Sequence, residues 1–249
     1  IFSLFGPLTQ LFGIKCGVIG TKEGYKKFKS YLNFIQKPVF NANNITRPMF
    51  PGFEATFNCK IDSENIAFKE ISNEEIGKFL FNENNHKRTF DLVTLFINKI
   101  VSSSKNDEER VDVWFIIVPD EIYKYCRPNS TMPKELIQTE KLITKSQAKG
   151  YVYMPSLFED FDRQEKDRAA EAETYNYDAH FHDQLKARLL KHTIPTQILR
   201  ESTIAWREHV NSLGFPIRNF EKIEGHLAWT ISTATYYKAG GKPWKLSDI

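Results

Sequence analysis

The sequence feature that most constrains the fold is a run of mostly apolar residues, VDVWFIIV, at positions 111–118, which Pro119 ends. Successive side chains of a β-strand point to opposite faces of its sheet, so the unbroken apolar run VWFIIV predicts a strand that is buried on both faces. Strands of this kind are typical of parallel sheets with helices on both sides. The run therefore favours an α/β domain.

Strand and helix patterns alternate along the rest of the chain. A short apolar run at 14–20 ends in glycine and precedes an amphipathic stretch at 22–36, for which Thr21 is a suitable N-cap. Strands are also predicted at 53–59 and 193–199, and helices at 73–81, 89–101, 178–192 (with Asp178 as the cap) and 221–239. This alternation predicts an α/β fold with a mainly parallel sheet flanked by helices.

The composition excludes several other classes of protein. With 41% hydrophobic and 14% aromatic residues among 249, the chain is neither collagenous nor wholly disordered. Its longest apolar run, at 113–118, is too short to cross a bilayer, so we expect no membrane association. Three widely spaced cysteines without a CxxC pair favour a reducing compartment, and we expect a cytoplasmic protein. Because the first residue is Ile1 rather than methionine, we also expect a fragment of a longer chain.

The charge is a weak guide to the partner. The chain has 34 Lys and Arg against 31 Asp and Glu, a formal net charge of +3, whereas a polyanion partner usually requires a concentrated basic face. Basic residues gather at 22–29, 134–149 and 186–191, and acidic residues at 107–109 and 159–173. Most such runs are solvated helix faces.

Four polar residues form the most informative candidate site. His182 and Lys186 are four residues apart in a predicted helix and so share one face. Gln197 lies on the strand that follows, and Lys222 opens the last helix, whose first amide groups are unpaired. Two lysines and an amide can hold a phosphate, and an imidazole can stack beneath a base. The alternative at this point is an ordinary exposed helix face and a polar strand end.

Other chemistries have weaker support. The turn GVIGT at 17–21 joins a strand to a helix but lacks both the three-glycine dinucleotide pattern and the GK[ST] of a P-loop. His180 and His182 with Asp178 suggest a metal site, but side chains two residues apart in a helix diverge. No HExxH or GxSxG motif is present.

Several segments resemble the MID domain of Argonaute proteins and its junction with the PIWI domain. The most specific is YYKAGGKPWKL within residues 226–246; GVIGT, RPMFPGFEATF, VDVWFIIVPDEIYKYCRP and IPTQILRESTIAW match as well. The group that the chain resembles most is the short prokaryotic Argonautes that work with a TIR-APAZ protein. The resemblance implies a Rossmann-like MID domain over residues 1–230, with residues 231–249 beginning a PIWI domain whose remainder is absent from this chain.

The resemblance also implies a function and a set of site residues. In the family, the MID domain binds the 5′ phosphate of a guide strand, and the matching positions are His182, Lys186, Gln197 and, least securely, Lys222. A segment after the central strand, here 119–124, contacts the first guide base, and Mg²⁺ can join the phosphate. The expected partners are a guide RNA, complementary single-stranded DNA and a TIR-APAZ protein, in a heterodimer that forms a higher oligomer on activation. The partner hydrolyses NAD, so this chain is expected not to be an enzyme.

Two alternatives from other classes remain at this stage. One is a nucleotide-binding α/β enzyme that uses the turn at 17–21. The other is a non-catalytic domain that only docks a partner protein.

Overall fold

A computed structural model describes residues 12–40, 49–105, 111–137, 179–205 and 220–242. The elements in these ranges are, in chain order, β1 (Ile14–Gly20), α1 (Lys22–Ile35), α2 (Phe53–Phe57), β2 (Ile61–Glu70), α3 (Asn73–Leu80), α4 (Asn85–Ser104), β3 (Val113–Val118), α5 (Asp120–Tyr125), α6 (Phe181–Leu190), β4 (Thr196–Arg200), α7 (Glu201–Ile204) and α8 (Phe220–Lys238). They belong to two compact units, one within 1–70, 99–120 and 193–249, the other within 71–98 and 121–192.

The first unit contains a four-stranded sheet in the order β2-β1-β3-β4. Every pair of neighbours is parallel: β1 pairs with β2 and with β3, and β3 pairs with β4. Parallel strands require crossover connections, which explains why helices alternate with strands along the sequence. The predicted α/β fold with a parallel, helix-flanked sheet is confirmed.

The central strand β3 is buried on both faces, as its composition predicts. Val113, Phe115 and Ile117 belong to the hydrophobic core that includes α1. The alternate side chains point to the other face and are equally buried. Position 17 on the neighbouring strand is glycine for a steric reason, because a Cβ atom on Gly17 would lie 2.4 Å from the ring of Trp114.

The helix after β1 forms where the sequence predicts it. Thr21 is the N-cap, and its hydroxyl oxygen accepts a hydrogen bond from the backbone N–H of Gly24 at 2.9 Å. One face of α1 is buried against the sheet, where the ring of Phe28 lies 4.6 Å from that of Phe115. The same face contacts α8, since the Tyr31 hydroxyl donates to the carbonyl oxygen of Leu227.

The strand predicted at 53–59 is wrong. Residues 53–57 form the helix α2, and the strand follows at 61–70. Apolar residues at 53, 55, 57 and 59 fit a strand period, but Phe53 and Phe57 are also one helical turn apart, and their packed rings (4.8 Å between centroids) are both buried. Asn58, in the left-handed conformation at φ 49°, ends the helix and redirects the chain into β2.

The other predicted elements agree with the structure to within a few residues at their ends. The helix predicted at 178–192 spans Phe181–Leu190, with His180 at the N-cap position; the predicted cap Asp178 lies outside the described residues. The strand predicted at 193–199 spans Thr196–Arg200. The last helix spans Phe220–Lys238, so the predicted domain boundary after residue 230 falls inside it.

In the described part of the second unit, the regular elements are helices. Its helix α3 begins with a capping box, in which Ser72 and Glu75 each accept the other's backbone N–H. Phe96 of α4 and Phe181 of α6 pack edge to face at 5.4 Å, and the Thr89 hydroxyl donates to the carbonyl oxygen of Ala179. These contacts connect α4 to the beginning of α6.

Two further observations concern the classes considered from composition. None of the helices in the described ranges combines the length and the apolar character that crossing a membrane requires. The cysteines Cys16, Cys59 and Cys126 are all free and buried.

Candidate functional site

Gln197 and Lys238 meet at β4 in the first unit. The Nζ of Lys238 donates to Oε1 of Gln197 at 2.5 Å and to the carbonyl oxygen of Thr196 at 2.6 Å. Both side chains are half-buried. Because Oε1 of Gln197 accepts from the lysine, the donor group of this side chain is its amide nitrogen. An ammonium group beside an amide NH₂ is a pair of donors suited to an anionic oxygen.

The end of α8 holds Lys238 in this position. Tyr236 is fully buried, and its ring stacks on that of Phe57 with 4.7 Å between centroids. The chain then turns back against this ring: the N–H of Gly241 donates to the carbonyl oxygen of Tyr236, and a Cβ atom on Gly241 would lie 2.3 Å from the ring. Gly240, at φ +94°, supplies the left-handed residue that ends the helix. Tyr236, Lys238, Gly240 and Gly241 all belong to the segment YYKAGG.

The sequence pattern indicates Lys222 as the lysine of α8 at the site and gives no comparable indication of Lys238. The main chain of Lys222 lies in the first turn of α8, whereas Lys238 is its last residue. At 1.5 Å per residue, about 24 Å of helix separates these two positions. The lysine that the structure places on Gln197 is Lys238, and the side chain of Lys222 lies outside the described residues. Lys238 lies in YYKAGGKPWKL, the segment whose family resemblance is most specific, and this position is the signal that could have identified it.

His182 and Lys186 lie in the second unit, one turn apart on α6 as predicted. Lys186 is exposed, and His182 is half-buried. His182 Nδ1 is 3.1 Å from Oδ1 of Asp183, while His180 Nδ1 is 3.4 Å from the other oxygen of the same carboxylate. The hydrogen bond with His182, followed by the positive charges of the two histidines and Lys186, lowers the pKa of Asp183.

Asp183 is therefore a member of the α6 cluster that the sequence analysis did not include. Its negative charge lies beside the two side chains that were predicted to receive a phosphate, and it holds the His182 ring through Nδ1. The described ranges contain no group of three His, Cys, Asp or Glu side chains that could hold a metal ion. With Asp183 as the only carboxylate of α6, this helix alone does not fit a magnesium site.

The turn at 17–21 is closed by a carboxylate from the chain itself. Glu201, 7% exposed, accepts a hydrogen bond from the Thr21 hydroxyl at 3.0 Å and forms an ion pair with Lys27 at 2.9 Å. A Cβ atom on Gly24 would lie 2.9 Å from the same carboxylate. A nucleotide phosphate at this helix start would have to displace a buried group of its own charge. This arrangement weighs against a nucleotide site at residues 17–21.

The segment that the family resemblance assigns to the first guide base is mostly helical. Residues 120–125 form α5, and at its first residue Asp120 accepts hydrogen bonds on Oδ1 from the Arg200 side chain and, at 2.7 Å, from the Ser202 hydroxyl. Asp120 is therefore held to the end of β4 and the start of α7.

The other end of α5 is held by a buried arginine. Arg88, which is 0% exposed, donates from Nε and Nη2 to the carbonyl oxygen of Tyr125, at 3.0 and 2.6 Å, and from Nη1 to that of Asn82 at 2.7 Å. Burial lowers the pKa of Arg88. Carbonyl oxygens at the end of a helix are favourable partners for a cation, so Arg88 stabilises the last turn of α5.

Comparison of the chain with protein-family models and with curated proteins finds no match.

Proposed function

We propose that this chain is the MID region of a short prokaryotic Argonaute and that it anchors the 5′ phosphate of a guide RNA. The observation that carries the proposal is the contact between Lys238 and Gln197. It joins the segment with the most specific family resemblance, YYKAGG, to another matching segment, IPTQIL, through a pair of side chains whose chemistry suits a phosphate.

Each side chain that we propose for the guide-binding site has a distinct role. Lys238 and Lys186 supply positive charge, and the amide nitrogen of Gln197 supplies a neutral donor. The ring of His182 offers a flat surface for the first base of the guide. Lys222 remains a proposed contributor from the other end of α8.

The proposed biological role follows the group that the sequence resembles. The guide RNA, fixed at its 5′ end, pairs with single-stranded DNA, so the nucleic acid performs the sequence recognition. A TIR-APAZ protein, bound to the Argonaute in a heterodimer that assembles further on activation, then hydrolyses NAD. In this scheme the chain is a sensor and not a catalyst, and Mg²⁺ at the phosphate is a proposed addition.

The test is direct binding of a single-stranded RNA of about 20 nucleotides with a 5′ phosphate or a 5′ hydroxyl. We expect the wild-type chain to prefer the phosphorylated strand and Lys186→Glu to lose this preference. The matched control is Lys87→Glu, which reverses the charge of another exposed helical lysine, at a helix N-terminus where an acidic residue is favourable. The control should retain the preference.

Two results would contradict the proposal in different ways. Undiminished discrimination in Lys186→Glu would remove that residue from the pocket. Equal, weak binding of both strands by the wild-type chain would reject the phosphate anchor and leave the partner-docking domain as the better hypothesis.

A further inference from the structure

The outer face of α1 carries a line of lysines. The inner face is buried through residues at the helical spacing Gly24, Phe28, Tyr31, Leu32 and Ile35. On the opposite side Lys22, Lys26 and Lys29 are exposed, at intervals of four and three residues. At 3.6 residues per turn, these three side chains leave the helix within about 60° of one another. We name them the lysine stripe.

The stripe is a local concentration of positive charge. The exposed charged residues between positions 22 and 37 are the stripe, Lys37 and a single acid, Glu23. Together they carry a formal charge of +3, equal to that of the entire chain. This surface therefore carries three more positive than negative charges within 16 residues.

The stability of α1 does not explain this arrangement. Lys22 occupies the first helical position, next to the positive end of the helix dipole, where an acidic residue is favoured. Lys22 and Lys26, and again Lys26 and Lys29, are neighbours on the helix surface and repel each other.

Nearby acidic side chains neutralise the charge of the lysine stripe only in part. Lys22 is 3.4 Å from Glu70 and Lys26 is 3.9 Å from Glu23, but all four side chains are exposed, by 38 to 78%. Ion pairs in such positions contribute little and exchange readily with other anions. The lysines are therefore available to an external polyanion.

We propose that the lysine stripe binds the sugar-phosphate backbone of a single-stranded RNA, as a second contact beyond the 5′ anchor. From Lys22 to Lys29 the helix rises about 10 Å, which matches about three phosphates at 3.4 Å per nucleotide of a helically stacked strand. Ser30 and Asn33, both exposed on the same side, add hydroxyl and amide donors. The choice of RNA as the polyanion rests on the proposed function.

The experiment measures how binding of a 20-nucleotide RNA depends on salt. The stripe variant is Lys22→Gln/Lys26→Gln/Lys29→Gln, and the control removes the same charge from three scattered exposed lysines, Lys78, Lys105 and Lys134. Each phosphate contact on a single strand contributes about 0.7 to the slope of log K against log salt. The stripe variant should therefore lower the slope by about 2, and the control should leave it unchanged. An equal decrease in both variants would overturn the proposal, because the effect would then be one of net charge.

A 5′-phosphorylated and a 5′-hydroxyl strand separate this proposal from the proposed function. The stripe variant should keep the preference for the 5′-phosphorylated strand, while its slope of log K against log salt should decrease. If the stripe variant keeps this preference and its salt slope equals that of the wild type, only the lysine-stripe proposal is rejected. A lowered slope in a protein that never preferred the phosphate would reject the 5′ anchor alone. The thermal midpoint of the stripe variant should equal or exceed that of the wild type, because like-charge repulsion within α1 is removed.

Discussion

Replacement of Lys238 by glutamine tests which lysine of α8 serves the phosphate. Glutamine preserves most of the side-chain length and a donor group but removes the charge that now lies 2.5 Å from Gln197 Oε1. A hydrogen bond to a charged group contributes about 1.5–3 kcal/mol. At 1.4 kcal/mol for each factor of ten, the preference for 5′-phosphorylated RNA should fall by about 10- to 150-fold.

The comparison variant is Lys222→Gln, the position that sequence reasoning selected. Its charge change is identical and it belongs to the same helix, about 24 Å from Lys238 at 1.5 Å per residue. If Gln197 and its lysine form the anchor, Lys222→Gln should alter the preference less than Lys238→Gln does. Lys238→Arg, which retains the charge, should restore a substantial part of the preference.

The assay is fluorescence anisotropy with RNA labelled at its 3′ end, at one fixed salt concentration, for both 5′ states. Lys238 also donates to the Thr196 carbonyl oxygen, so the thermal midpoint of each variant is measured to confirm that it is folded. The reasoning is refuted if folded Lys238→Gln keeps the wild-type ratio of dissociation constants. If only Lys222→Gln loses the preference for 5′-phosphorylated RNA, Lys222 rather than Lys238 is the lysine of α8 that serves the phosphate.

Three further predictions concern charge and burial. Glu201→Gln should reduce the free energy of unfolding by about 3–5 kcal/mol in a denaturant titration, because it leaves the mostly buried Lys27 without its counter-charge; a change below 1 kcal/mol would refute this. Because the pKa of Asp183 is lowered in the folded protein, its stabilising contribution exists above the ordinary Asp pKa of about 3.9 and disappears as the pH falls through the lowered value. Asp183→Asn should therefore reduce the loss of folding stability at acidic pH, and it should also tighten binding of 5′-phosphorylated RNA. An unchanged pH dependence of stability, or weaker RNA binding, would contradict this prediction. Burial raises the pKa of Cys16 to about 12 and that of Cys126 to about 11, so a thiol reagent at pH 8 should label none of the three cysteines in the folded chain and all three after denaturation.

The parts of the fold that local sequence determines could be predicted. The apolar run of β3 specifies a doubly buried strand, and Thr21 before an amphipathic stretch specifies the start of α1. The segment at 53–59 could not be resolved, because its apolar positions satisfy the periods of both a strand and a helix. Tertiary packing decided between them, since Phe57 stacks on Tyr236, far away in the sequence.

The site was predictable to the extent that its contacts are local. The spacing of His182 and Lys186 sets their common face, but the predicted site lacked Asp183, although it lies between them in the sequence. The partner of Gln197 is a different case, because Lys238 lies 41 residues away and comes into contact only through the packing of α8. Free amide groups at the helix start favoured Lys222, whereas the lysine of α8 that contacts Gln197 lies at the other end of the helix.

The topology bears on where the proposed anion anchor can lie in the first unit. In the order β2-β1-β3-β4, the connections from β1 and β3 lead in opposite directions, so the strand order reverses between these two strands. Open α/β sheets bind ligands beyond the carboxyl ends of the strands where the order reverses. Here that place holds two carboxylates: Glu201 is bound by Thr21 and Lys27, and Asp120 by side chains at the end of β4. Their negative charges disfavour a phosphate at the usual position. The proposed anion anchor in this unit therefore requires donors at another part of the sheet, and Gln197 on the edge strand β4, with Lys238 from the end of α8, meets that requirement.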